Sequence, residues 1–162
     1  TAPYESVLTH GFVLHEDGAK MSKSSNNIVS PAEVIEKSGA DILRLWVANS
    51  DFSEDLKIGS EIIKSNVDTY RRLRNTIRFI LGNLSDFSDD SSLEYSDLTD
   101  LDKYILSQLA ILEKNVLKNY EIFEYQKVFT LIFNFCTNEL SSSNSFDVLV
   151  KHFFCPPPYT LL

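Results

Sequence analysis

Apolar residues recur at steps of three and four through the second half of the chain, the spacing that lines one face of an α-helix. The pattern predicts one helix from residue 60 to about residue 83, another over residues 101–116 and another over residues 125–136, with a break near Asn119. Consecutive helices of this length commonly pack side by side in alternating directions. The sequence therefore predicts an antiparallel helical bundle over residues 60–142.

The first half of the chain has shorter apolar runs. Residues 4–14 mix β-branched, aromatic and small residues and lead into Glu16–Gly18, which predicts a strand followed by a turn. Between residues 49 and 59 apolar residues are sparse, which predicts a connector and a domain junction. The expected fold is therefore mainly α, with little strand.

Two helices are predicted between the strand and the connector. Ser30 can cap the first helix with its hydroxyl, Pro31 suits the first helical position, and Glu33 lies in the first turn. Gly39 is the expected end of this helix, because glycine readily adopts the positive φ found there. Residues 40–48 predict a second helix that is largely buried, with its tryptophan in the core.

Charge is distributed unevenly along the chain. The net charge of −8 argues at first against a nucleic-acid partner, because Lys and Arg drive phosphate binding. Residues 57–84 nevertheless carry six basic residues against two acidic ones, whereas residues 85–102 carry seven acids and no base. The acidic stretch predicts a solvated loop, and the basic stretch predicts one positively charged helix. The basic residues predicted on that helix are Lys64, Arg71, Arg72, Arg74 and Arg78.

Residues 20–24 read Lys-Met-Ser-Lys-Ser and continue in short polar residues, which predicts a mobile loop. Two ammonium groups with neighbouring hydroxyls can close over a polyphosphate and stabilise the negative charge that develops on it. A bare Lys-x-x-Lys would be read as a solvated turn, but the full pentapeptide followed by Pro31 and residues 39–44 is far more specific. The candidate nucleotide-binding residues are Lys20, Met21, Ser22, Lys23 and Ser24.

These motifs resemble the class I aminoacyl-tRNA synthetases of the isoleucyl, valyl and leucyl group. The resemblance runs through residues 39–59, 70–76 and 134–142, and it is strongest for the isoleucyl branch. It implies that residues 1–56 are the C-terminal end of a Rossmann-type catalytic domain. It also implies that residues 57–142 belong to an anticodon-binding helical bundle.

The resemblance implies an enzyme that activates isoleucine with ATP, accompanied by Mg²⁺, and transfers it to tRNA(Ile). Lys20 and Lys23 match the family's phosphate-contacting lysines, and Lys23 is expected to stabilise the transition state. The basic helix is the expected place of tRNA contact, although any single arginine could instead be solvated or ion-paired. The family's front half, with its ATP motif and amino-acid pocket, has no counterpart here, so this segment is expected to be inactive alone.

The chain departs from the family pattern at three places. Ser25-Asn26-Asn27 replaces the usual Leu-Gly-Asn, and Asn26 can adopt the left-handed geometry that glycine would take. Ser30 replaces an aspartate and should cap equally well. After Ser142 the resemblance stops, and residues 143–162 are predicted to be a divergent tail, for which a shifted reading frame is one hypothesis.

Alternatives remain open from the sequence. The chain could be a non-catalytic tRNA-binding module that associates with a separate N-terminal half, or it could belong to the valyl or leucyl branch. No leader or membrane-spanning run is evident, so a cytoplasmic location is expected. Cys136 and Cys155 are expected to be core thiols, no metal site is expected, and His10 and His15 have no evident partner.

Overall fold

The computed structural model describes residues 2–83 and 95–140, and helices dominate this part of the chain as the apolar pattern predicts. The chain divides into two compact units, one ending at Tyr70 and the next beginning at Arg71. In chain order the elements are β1 (Val13–His15), α1 (Pro31–Ser38), α2 (Ala40–Ala48), β2 (Leu56–Ile58), α3 (Ser60–Gly82), a 3₁₀ turn (Tyr95–Asp97), α4 (Asp100–Glu121), α5 (Tyr125–Asn134) and a π-helical turn (Phe135–Leu140).

The predicted strand over residues 4–14 is much shorter in the structure. Only Val13–His15 forms β1, which pairs in parallel with β2 so that Leu14 lies opposite Lys57. Tyr4 and Val7 are exposed. β-propensity is realised only where a neighbouring strand supplies a partner, and within the described residues the sheet consists of β1 and β2. The structure thus contains the predicted strand as a short element at the end of this segment.

The predicted connector over residues 49–59 contains strand β2, which the sequence pattern missed. Three alternating residues are too few for a periodic signal. Backbone hydrogen bonds fix this segment against the first strand: the Leu56 N–H donates to the Phe12 carbonyl at 2.7 Å, and the Gly11 N–H donates to the Phe52 carbonyl at 2.8 Å. The sheet of the first unit is therefore held by residues far apart in sequence.

Gly11 allows this close approach. A Cβ at position 11 would overlap the Glu54 carbonyl and lie 2.8 Å from the Asp55 amide nitrogen. Next to it, the Phe12 N–H donates to Asp55 Oδ1 at 2.8 Å. Any side chain at position 11 would have to push apart the backbone segments that these hydrogen bonds hold together.

Helix α1 begins at Pro31 as predicted, but the expected hydroxyl cap is absent. Ser30 is extended and makes no side-chain cap hydrogen bond. Proline already removes one of the unpaired N–H donors of the first turn, and the helix is started by the backbone, with the Val34 N–H donating to the Ser30 carbonyl at 3.2 Å. Gly39, at φ 91°, ends the helix, and its N–H donates to the Ile35 carbonyl at 2.9 Å.

Helix α2 spans the predicted residues but is less buried than expected. Ile42 and Trp46, one turn apart, are buried, whereas Arg44 and Val47 are exposed. One apolar stripe therefore faces the core, as in most surface helices. The core of the first unit is formed by Val34, Ile42, Trp46, Ile58 and Ile63, with Met21, Val29, Leu43, Leu56, Ile62, Val67 and Tyr70 packed against it.

The second unit contains a helix start that the sequence analysis did not identify. The Asp102 N–H donates to Thr99 Oγ1 at 3.3 Å, and Asp102 Oδ2 accepts from the Thr99 N–H at 3.1 Å and from its hydroxyl at 2.6 Å. This reciprocal capping box satisfies donors at the start of α4. Asp102 is buried, and these hydrogen bonds satisfy its carboxylate there.

Helix α4 runs to Glu121, slightly past the predicted break near Asn119. Phe123, at φ 61°, turns the chain before α5 begins at Tyr125. Phe129 and Phe133 on α5 stack with ring centroids 5.8 Å apart. The core of this unit is formed by Ile105, Phe135 and Leu140, against which Ile80, Leu106, Leu109, Leu112 and Cys136 pack.

Several predicted features lie outside the described residues. These are most of the acidic loop, residues 84–94, and the predicted tail, including Cys155. Cys136 is half-buried, and this burial raises the pKa of its thiol. No helix in the described ranges is both long enough and apolar enough to span a membrane.

Gly11→Ala should destabilise the first unit. The new methyl group must displace the backbone at Glu54, and overpacking of this kind costs about 1–3 kcal/mol. Trp46 is the single tryptophan of the chain and lies in this core, so urea unfolding followed by its fluorescence should show a lower midpoint. Gly82→Ala is the matched control, because a Cβ there meets nothing within 4 Å. Equal midpoints for the two variants would contradict this account.

Candidate functional site

The Lys-Met-Ser-Lys-Ser loop is presented by a tight turn after β1. Gly18 adopts φ 85°, its N–H donates to the His15 carbonyl at 2.8 Å, and Lys20 returns to pair with Leu14 in an antiparallel bridge. Asp17 Oδ1 accepts from the Ala19 N–H at 2.8 Å. The loop therefore leaves the sheet from a fixed position rather than from a flexible end.

Both histidines, for which the sequence showed no partner, have one. His15 Nδ1 lies 3.1 Å from Asp17 Oδ1, and His10 Nδ1 lies 2.8 Å from the Gly11 carbonyl oxygen. The backbone N–H of Ala19, followed by the His15 ring, lowers the pKa of Asp17 below its ordinary value. The contacts of Asp17 stabilise the turn. Both histidines lie outside the loop of residues 20–24.

The loop is anchored in the core at both ends. Met21 and Val29 are half-buried and pack against the cluster that contains Trp46 and Ile63. A flexible thioether fills irregular space in such a cluster well. The residues between these two anchors are polar except for Ile28, and Lys23–Asn26 forms a turn that is exposed to solvent. We call residues 21–29 the arch and its two buried ends, Met21 and Val29, its apolar feet.

Serine hydroxyls link the residues of the arch to one another. Ser22 Oγ donates to Ser25 Oγ at 2.8 Å, accepts from the Ser25 N–H at 3.2 Å and lies 3.1 Å from Ser24 Oγ. Asn26 adopts φ 49°, so the expectation that it takes the left-handed geometry of a glycine is confirmed. Local bonds of this kind give a polar loop a defined shape without a core of its own.

Asn27 is the residue of this loop whose role sequence reasoning missed. Its Oδ1 accepts from the Ser22 N–H at 2.9 Å, and its Nδ2 donates to the Lys20 carbonyl at 3.2 Å. The side chain therefore spans the base of the arch. The available signal was that, within Ser25–Asn27, only the last residue agrees with the family pattern.

The two lysines of the loop are available for a ligand. Lys20 and Lys23 are exposed, and within residues 2–83 and 95–140 neither ammonium group forms an ion pair with a carboxylate. A phosphate approaching the loop would therefore not have to displace an internal partner. Ser24 is also exposed, whereas Ser22 is half-buried by its contacts.

The five predicted basic residues all lie on α3 and are all exposed. At about 100° per residue, Lys64, Arg71, Arg74 and Arg78 fall within an arc of about 80°. We call this arc the basic stripe. Arg72 lies about 80° to the other side of Lys64 by the same spacing. The assignment of all five residues to one contact surface stays a prediction, and Arg72 is set apart from the other four by its position on the helix.

The described residues offer no metal site. Within these ranges no group of three or more His, Cys, Asp or Glu side chains lies close enough to hold an ion. The loop itself offers lysine ammonium groups, serine hydroxyls and backbone amides, all of which suit a polyanionic ligand.

Comparison with known proteins identifies the family of this chain. Residues 1–59 match the family described as tRNA synthetases class I (I, L, M and V). The isoleucine–tRNA ligase of Petrotoga mobilis is 54% identical over 143 residues, which is 88% of this chain and 16% of that protein. The isoleucine–tRNA ligase of Ruegeria pomeroyi is 48% identical over 155 residues, 95% of this chain and 16% of that protein. This second alignment includes part of the segment after Ser142.

A solved structure shares the fold. A LeuRS from Agrobacterium radiobacter K84, in a ternary complex with tRNA and LeuAMS, superposes with a TM-score of 0.74 at 22% identity, covering 88% of this chain and 19% of that one. The chain thus spans about a sixth of the length of the curated relatives it matches. By the family match and the identity to these ligases, the chain belongs to the class I tRNA synthetases, as a segment of the isoleucine–tRNA ligase branch.

Proposed function

We propose that this chain is the part of an isoleucine–tRNA ligase that closes over ATP during amino-acid activation. The observation that carries the proposal is the loop of residues 20–24, which Met21 anchors in the core. Both of its lysines are exposed, and within the described residues neither forms an ion pair. The names of the relatives support isoleucine rather than valine or leucine as the amino acid. A cytoplasmic location and a helical bundle of antiparallel arrangement go with this proposal.

The chemistry defines what the lysines do. A carboxylate oxygen of isoleucine attacks the α-phosphorus of ATP, the bond from that phosphorus to the bridging oxygen of pyrophosphate breaks, and negative charge accumulates on the leaving group. ATP enters with Mg²⁺ as its counter-ion. Lys23 donates to the departing phosphates, and Lys20, at the entry to the arch, supplies a second positive charge. Cations placed where charge develops lower the barrier more than they strengthen ground-state binding.

The segment requires the rest of its enzyme. Because it spans 16% of the length of its relatives, the amino-acid pocket and the remaining ATP contacts must come from elsewhere in the protein or from a separate N-terminal half. The chain alone does not aminoacylate. Binding of tRNA(Ile) is assigned to α3, where the basic stripe offers several cations to a phosphate backbone along one line.

Lys23→Ala should abolish most of the activation step in the complete ligase. Loss of a donor aimed at transition-state charge typically costs about 10²–10³ in kcat. Isoleucine-dependent exchange of pyrophosphate into ATP measures this step, and Lys23→Arg should retain part of the rate because it retains the charge. Lys37→Ala is the matched control, since Lys37 is an exposed lysine on α1.

A normal exchange rate for Lys23→Ala would overturn the assigned role. If the complete protein shows no exchange with isoleucine but still binds tRNA, the non-catalytic tRNA-binding module becomes the better description. Exchange that depends on valine or leucine instead would move the chain to another branch of the family.

Substitutions on the basic stripe should weaken tRNA binding through charge. Arg78→Ala and Arg74→Ala should each lower affinity and reduce the slope of log Kd against log salt by about one. Arg72→Ala should have a smaller effect, because helical spacing places it off the stripe. Filter binding or fluorescence titration of tRNA(Ile) over a range of salt concentrations measures both quantities.

The three arginine variants are matched in charge, helix and exposure, so only position differs between them. An effect of Arg72→Ala as large as that of Arg78→Ala would show that the stripe is not the contact surface. Unchanged salt slopes for all three would remove α3 from the tRNA interface.

A further inference from the structure

The side chain of Asn27 binds two backbone groups on the entering side of the arch, one before Met21 and one after it. It accepts from the Ser22 N–H at 2.9 Å and donates to the Lys20 carbonyl at 3.2 Å. A single amide group therefore closes residues 20–27 into a ring. We propose that Asn27 is a positioning residue for amino-acid activation, an inference that rests on the proposed ligase function.

The two neighbours of Asn27 require an amide rather than any polar group. One is a donor, the Ser22 N–H, and the other is an acceptor, the Lys20 carbonyl, so the amide must present its oxygen to one and its nitrogen to the other. Turning the amide over would place like groups against each other on both sides. Aspartate could satisfy the donor but would set a carboxylate oxygen against a carbonyl oxygen.

The ring constrains the residues that carry the charge. Ser22 is pinned through its N–H by Asn27, and its hydroxyl binds the Ser25 N–H and Ser25 Oγ. Lys23 lies between these fixed points, and its carbonyl accepts from the Asn26 N–H at 3.3 Å. Asn27 touches neither ammonium group of the loop directly. It acts through the backbone, by limiting the positions from which the Lys23 side chain can start.

The apolar feet of the arch do not by themselves set this shape. Met21 and Val29 fix where the loop enters and leaves the core, but the polar chain between them could cross that gap in many conformations. Restricting the loop to one of these conformations costs conformational entropy when it closes over a ligand. A ring formed before ATP arrives reduces that cost, which is the general benefit of a preorganised site.

Proteolysis of the 162-residue chain tests the ring without requiring activity. Trypsin should cleave Asn27→Ala and Asn27→Asp after Lys20 and Lys23 about fivefold or more faster than the wild type, the equilibrium effect of losing about one net hydrogen bond. Cleavage after Lys37 in α1 should not change. Asn26→Asp is the matched control, since it places the same charge one residue earlier, on an exposed side chain in a left-handed turn that aspartate tolerates.

Pyrophosphate exchange in the complete ligase tests the consequence. Both Asn27 variants should lower kcat by about tenfold while leaving KM for isoleucine unchanged, because the pocket for the amino acid is not part of this loop. A general structural defect would instead alter KM for isoleucine or lower the amount of folded enzyme together with the rate.

The outcomes separate this inference from the proposed function. Unchanged cleavage of the Asn27 variants would show that the ring does not hold the loop, and faster cleavage with unchanged kcat would show that the ring does not position the lysines. Either result overturns the inference about Asn27. The proposed function still stands in both cases, provided that the complete wild-type enzyme exchanges pyrophosphate. A complete wild-type protein without exchange would overturn the proposed function, and the positioning role with it.

Discussion

The site depends on the burial of Met21 against the core of the first unit. That core is assembled from α1, α2, β2 and the start of α3, with Trp46 and Ile63 among its members. Without this contact the polar residues 22–27, which include Lys23, would have no apolar anchor on their first side. Packing of the Met21 thioether therefore fixes the base of the arch, and the polar contacts then determine the conformation of the residues above it.

The arch combines two kinds of interaction that serve different purposes. Apolar contacts at Met21 and Val29 provide attachment, because they are buried and insensitive to a ligand's charge. Hydrogen bonds from Ser22 and Asn27 provide shape, because they are directional and individually weak. A loop built in this way stays attached to the sheet while its charged turn rearranges, which is what closure over a substrate requires.

Sequence reasoning succeeded where a local rule determines the structure. Pro31 starts a helix by its own geometry, Gly39 ends it, and Asn26 takes the left-handed conformation that few other residues tolerate. It failed where the outcome depends on distant partners. Strand β2 exists because β1 and Phe12 lie beside it, and the strand predicted within residues 4–14 is confined to the end of that segment, where β2 supplies a partner. The role of Asn27 also depends on a distant partner, since its amide meets the Lys20 carbonyl only because the chain returns there seven residues later.

The two basic features of this acidic chain illustrate how position outweighs net charge. The loop lysines and the basic stripe on α3 occupy short stretches, and the acids are concentrated elsewhere, above all in residues 85–102. At physiological ionic strength the field of an exposed charge decays over about 8 Å, so the charges next to a cationic surface matter more than the total charge of the chain. A net charge of −8 therefore limits non-specific binding to polyanions without preventing two local contacts with phosphate. Within residues 2–83 and 95–140 neither Lys20 nor Lys23 forms an ion pair, which leaves both available to a ligand that brings its own negative charge.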